Sequence, residues 1–203
     1  TGNITLKAKD SVNLFNRAGI STFAVGRGDG TTAGSGGNIF IETKDLNLQN
    51  GNILVSTFLG QGNAGELKII ATNSVNTSGG LITTSSAGAG VSGSILIETK
   101  DLNVENGARI LTNVFEPSNV DVNTFDPRFS SPEARAFVNQ LISTINPENV
   151  GKANSGNLTI IADNSVKITG QSADGNTGSY LSTETIGEGN AGTLKIDTSK
   201  LSV

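Results

Sequence analysis

Histidine and cysteine are both absent from this chain. That removes Ser-His and Cys-His nucleophile systems and zinc sites built on those ligands. Carboxylate chemistry remains, and its densest candidates are Asp121, Asp126, Glu133 and Arg135 in one proline-containing stretch. Carboxylates and a guanidinium lined along a groove could cleave an acidic polysaccharide by acid/base catalysis. Helix-capping and solvated-loop roles account for the same residues equally well. An active site needs convergent groups with displaced titration, and the sequence locates none, so the expectation is a non-catalytic protein.

The other candidates reduce to turns. Asp45 and Asp101 follow Lys44 and Lys100 at equivalent places in a repeat and read as turn residues. Asp29-Gly30 and Asp174-Gly175-Asn176 have no further carboxylates at calcium-ligand spacing. The run Gly26-Arg27-Gly28-Asp29-Gly30 lacks the lysine and helix of a phosphate cradle. No cofactor or metal is therefore expected. Phe125, Arg128 and Phe129, in the loop before a predicted helix, are left as the candidate partner-binding residues.

The elements that would carry such contacts come from a repeat. Glycine, a polar residue, then two aliphatics one residue apart recur at Gly2, Gly37, Gly65, Gly93, Gly156 and Gly192. Two successive intervals, Gly37 to Gly65 and Gly65 to Gly93, are 28 residues each, which marks a stacked repeat. The first aliphatics are Ile4, Ile39, Leu67, Ile95, Leu158 and Leu194; the second are Leu6, Ile41, Ile69, Ile97, Ile160 and Ile196. Spacing by two predicts a strand with one buried face.

The next small residue alternates between Ala (8, 71, 162) and Thr (43, 99, 198), and the following aliphatic comes one residue later in Ala repeats than in Thr repeats. Second strands are predicted near Val12, Leu46, Leu102 and Val166, and third strands near Ile20, Ile53 to Val55, Leu81-Ile82 and Ile110-Leu111. The expected fold is all-β: a right-handed single-stranded parallel β-helix of about six coils, three short strands each. Parallel crossovers set the hand, and strand spacing gives a rod of roughly 30 Å. A sandwich would not repeat residue identity at a fixed offset, and leucine-rich repeats space their leucines differently.

Composition sets further bounds. A net charge of −4, with no concentrated basic face, argues against nucleic acid as partner. No apolar run is long enough for a membrane span. The first and last residues fall within a coil, so the chain reads as one β-helix domain, 1–203, a fragment of a longer solenoid or a processed product, without its natural caps in either case. Residues 116–150 form an insertion holding all four prolines. Within it, Ser130-Ser131-Pro132-Glu133 resembles a capped helix start, Ala134, Phe137, Val138, Leu141 and Ile142 share one face, and Asn146-Pro147 ends a helix expected near 131–144. The stripe could pack on the outward apolar set Phe40, Ile70, Leu96 and Ile161, or meet a partner.

The phrases at 156 to 166 and 37 to 46, with Gly-Asn-Ala-Gly at 62 to 65 and 189 to 192, resemble the repeat region of filamentous haemagglutinin-like exoproteins of the two-partner secretion type, particularly cyanobacterial ones. The resemblance covers nearly everything outside the insertion. It implies a surface filament or adhesin exported through an outer-membrane transporter, extracellular or at the cell surface. It implies as partners a surface glycan, a protein ligand or further copies in a filament, and it brings no catalytic residues. The alternative is a carbohydrate-active β-helix with a site beside the insertion. An ice- or mineral-binding face would need a flat column of outward threonines, and the column Thr5, Phe40, Lys68, Leu96, Thr159, Lys195 breaks it.

Overall fold

The computed structural model describes residues 2–26, 34–58, 61–114, 153–186 and 188–203. Among them the chain is all-β, with no helix. The strands are β1 (Ile4–Lys7), β2 (Ser11–Phe15), β3 (Gly19–Val25), β4 (Ile39–Gln49), β5 (Asn52–Phe58), β6 (Leu67–Ser78), β7 (Leu81–Ala87), β8 (Ile95–Glu105), β9 (Arg109–Val114), β10 (Leu158–Thr169), β11 (Tyr180–Thr185) and β12 (Leu194–Ser202). The insertion at 116–150 and its expected helix near 131–144 lie outside the described residues.

Every pairing between these strands is parallel. They make two sheets, one of seven strands in the order β1-β4-β6-β8-β10-β12 with β2 also beside β4, and one of five in the order β11-β9-β7-β5-β3. From β3 to β12 the chain alternates between the sheets and advances one strand at each return, an arrangement compatible with a parallel β-helix.

Like residues stack on like. In the larger sheet Ile41, Ile69, Ile97, Ile160 and Ile196 are successive register partners, the column expected from the repeat. The parallel column runs Ile39, Leu67, Ile95, Leu158. In the smaller sheet Ile20, Ile53, Ile82, Ile110 and Leu181 do the same. These columns meet in one core. Each fully buried aliphatic contributes about 1.5–3 kcal/mol of transfer free energy, available only once its neighbours are in place.

The three-strand expectation is modified at one corner. In β4, β6, β8 and β10 the first two segments are a single bent strand of 11 or 12 residues. The bend coincides with a register shift, where Thr72 and Asn73 between Ala71 and Ser74 oppose the single residues Lys44 and Lys100. One extra residue on one of two paired strands is a β-bulge, which turns the strand without breaking the ladder. It accounts for the longer spacing of the Ala repeats. The aspartates fill it: Asp45 accepts hydrogen bonds from Asn73 Nδ2 and Ser74 Oγ, both at 2.7 Å, and Asp101 from Ser165 Oγ at 2.5 Å and Asn164 Nδ2 at 3.3 Å.

The phrase begins with glycine because the rungs touch there. A Cβ on Gly65 would lie 2.5 Å from the Gly37 carbonyl oxygen, and Gly93, Gly156 and Gly192 each face the glycine carbonyl of the rung before in the same way. The carbonyls are then fastened from inside. Thr22, Thr112 and Thr183 donate to the carbonyls of Gly37, Gly156 and Gly192 at 2.6, 2.6 and 2.7 Å, and Thr84 donates to that of Gly93. The one interruption in this threonine column is Val55.

One threonine is misplaced. Thr77 stands in the inner column Leu14, Leu48, Thr77, Val104, Ile168, and its buried hydroxyl has no hydrogen-bond partner. Burying such a hydroxyl costs about 1–3 kcal/mol, and valine has nearly the same shape. Thr77→Val is expected to raise stability by about 1 kcal/mol. A urea midpoint that fails to rise would show the hydroxyl to be satisfied.

Candidate functional site

The outward face of the larger sheet carries two side-chain columns before the corner. One is Thr5, Phe40, Lys68, Leu96, Thr159, Lys195; the other is Lys7, Glu42, Ile70, Glu98, Ile161, Asp197. The apolar members expected to need a cover are half-buried (Phe40, Ile70, Leu96) or exposed (Ile161). Lys7 Nζ lies 2.7 Å from Glu42 and 5.6 Å from the Phe40 ring centroid, while Lys68 Nζ lies 3.6 Å from Glu98. Surface pairs of this kind contribute at most about 1 kcal/mol each. Their effect here is to offset the two glutamates.

Along this edge, beside the bulge, two adjoining depressions make a shallow groove. Lys7, Lys9, Glu42, Lys44 and Thr72 line one depression of 250 Å³. Ile70, Thr72, Glu98, Lys100, Ile161 and Asp163 line the next, of 410 Å³, and Thr72 belongs to both. Glu42 with Lys44 and Glu98 with Lys100 come from the second and fourth rungs, both Thr rungs; Ile70 and Ile161 come from the third and fifth, both Ala rungs. From the second rung to the fifth the groove thus has a chemical period of two, while on the first rung Lys7 and Lys9 replace the apolar lining. Lys44 and Lys100 are exposed and form no ion pair among the described residues.

Beyond the corner runs an asparagine ladder that sequence reasoning missed. Asn47 donates to Asn13 at 2.8 Å, Asn76 to Asn47 at 2.9 Å and Asn103 to Asn76 at 2.8 Å. Its signal was present as the asparagine between the two inward residues of the first four second strands, Asn13, Asn47, Asn76 and Asn103, but asparagine is equally common in turns. A further set of amides clips rungs together at the glycine corner: Asn3, Asn38 and Asn157 accept from the backbone N–H of Asn38, Glu66 and Thr193.

Of the sequence candidates, Phe125, Arg128 and Phe129 lie outside the described residues, as do Asp121, Asp126, Glu133, Arg135 and Asp29-Gly30. Asp45 and Asp101 are brought to the bulge as ladder acceptors. Hydrogen bonds from Asn73 and then Ser74 hold the Asp45 carboxyl below its ordinary range. Asp174 closes its own loop, where the Ser172 hydroxyl and the backbone and side chain of Asn176 lower it to about 2. A general acid needs the opposite, a raised carboxyl. Among the described residues no three acidic side chains gather in a position to hold a metal ion, and no helix is long and apolar enough to cross a membrane. Comparison of the chain with protein-family profiles, with curated proteins and with solved structures gave no match.

Proposed function

We propose that this chain is a structural and adhesive segment of a large exported bacterial surface protein of the filamentous haemagglutinin-like, two-partner secretion type. In this reading it is a right-handed single-stranded parallel β-helix of about six coils, carrying a helix-containing insertion at 116–150. An outer-membrane transporter exports it, and it stands outside the cell. Its coils supply length; its outward columns, its loops and the insertion, with Phe125, Arg128 and Phe129, supply contacts to a surface glycan, a protein ligand or further copies.

The observation that carries the reading is the isoleucine column Ile41, Ile69, Ile97, Ile160, Ile196, held in register through consecutive rungs. Such a stack extends by repetition, and each inner side chain needs only its neighbours above and below. The outward residues are then free to vary for recognition. The phrases at 37 to 46 and 156 to 166 supply the family resemblance.

A glycan and matrix-protein array probed with the whole chain, run beside a reducing-end assay on acidic polysaccharides, tests this function. Binding without turnover is the expected result. New reducing ends that vanish on replacing Asp126 or Arg128 would instead identify a polysaccharide-cleaving enzyme. No binding to any surface component would overturn the adhesive reading.

A further inference from the structure

We propose that the groove along the bulged edge of the larger sheet binds a linear acidic polysaccharide in which a uronic acid alternates with a neutral sugar. This rests on the adhesive reading above and gives it a ligand class and a place. The argument starts from period. Successive parallel strands are about 4.8 Å apart, so one rung advances along the groove by close to one sugar of an extended β-linked chain, and two rungs by close to one disaccharide.

The chemistry follows the same step. Lys44 on the second rung and Lys100 on the fourth are exposed cations about 9.6 Å apart. Ile70 on the third rung and Ile161 on the fifth present aliphatic surface between and beyond them. A uronate carboxylate can meet each lysine while the C–H face of the intervening neutral sugar lies on an isoleucine. Glu42 and Glu98, engaged by Lys7 and Lys68, keep oxygens on the groove wall that can accept from sugar hydroxyls. Asp163 repels a carboxylate on the fifth rung, where the alternation places the neutral sugar.

Other polyanions do not fit this spacing. Phosphates follow one another every 3.4 Å along a DNA strand. In an extended acidic peptide, side chains on one face recur every 6.6 Å or so. A homopolymeric uronan presents a carboxylate at every rung, which sets one against Ile70 and one against Asp163.

The test is a titration of the whole chain with hyaluronan oligosaccharides, which alternate uronic acid and N-acetylhexosamine. Polygalacturonate and chitin oligomers of equal length serve as comparisons. Hyaluronan is expected to bind tightest, and Lys44→Gln and Lys100→Gln are each expected to weaken it about tenfold. Lys195→Gln, on the same face but outside the groove, is expected to leave affinity unchanged. Methyl resonances of Ile70 and Ile161 should shift on binding, a readout that needs no variant. Equal binding of polygalacturonate, unchanged affinity in the two lysine variants, or shifts confined to residues elsewhere would each overturn the proposal. If the array finds a ligand and hyaluronan does not bind, the groove assignment falls while the adhesive reading stands.

Discussion

Replacing Gly93 by alanine is expected to lower the stability of the stack by about 4 kcal/mol or more, among the largest effects a single methyl can have. The new Cβ would lie 2.6 Å from the carbonyl carbon of Gly65 and closer still to its oxygen, with the Ala64 carbonyl oxygen at 3.1 Å. Both obstacles are backbone, and the strands on either side are locked in register by their ladders. The strain has no side chain to absorb it, so two rungs must separate locally. Urea unfolding of Gly93→Ala beside Gly2→Ala makes the comparison internal. Gly2 opens the same phrase, but nothing lies within 4 Å of its would-be Cβ, so its substitution is expected to be nearly neutral. Equal midpoints would show that the rungs are not in contact at the glycine corner.

The second large effect is expected at Thr112→Val, a loss of about 2–3 kcal/mol. The Thr112 hydroxyl is fully buried, donates to the Gly156 carbonyl at 2.6 Å and accepts from Ser155 Oγ at 2.9 Å. Valine keeps the volume, deprives the Gly156 carbonyl of this donor and leaves Ser155 Oγ only its longer contact with Ser92 Oγ at 3.3 Å. The column contains its own control. Val55 occupies the same position one sheet neighbour from Thr84 and Thr22, and Val55→Thr would place a hydroxyl where the other threonines reach a glycine carbonyl. It is expected to be neutral or stabilising by up to about 1 kcal/mol. If Thr112→Val and Val55→Thr moved the unfolding midpoint alike, the threonine column would be no more than packing.

The core was legible in the sequence because burial writes itself at fixed offsets. Two aliphatics separated by one residue, repeated after each glycine, can only be a strand face, and the structure stacks them as that offset requires. The small Ala or Thr before the corner was legible too. Its consequence was not, since a bulge continues a strand where spacing alone suggests a break. Strand β11 escaped notice because the loop between β10 and β11 moves it away from its expected distance. The groove was hidden for a related reason. Its walls come from rungs whose register depends on the bulge residue, so Ile70 was read as outward and apolar without its neighbours Glu98 and Lys100. Asparagine 76 carried two meanings in the sequence, turn former or ladder member, and only the strand on each side of it chose between them.

The alternation of Ala and Thr rungs has a consequence for how such a stack of strands can grow. Each aspartate at the bulge is satisfied by serine and asparagine of a neighbouring Ala rung, as Asp45 is by Ser74 and Asn73. A duplication of the 28-residue Thr unit that begins at Gly37 would set Thr rung against Thr rung, aspartate opposite aspartate, without the serine and asparagine donors of an Ala rung between them. The increment of length that keeps every such aspartate satisfied is therefore a couplet of unlike rungs.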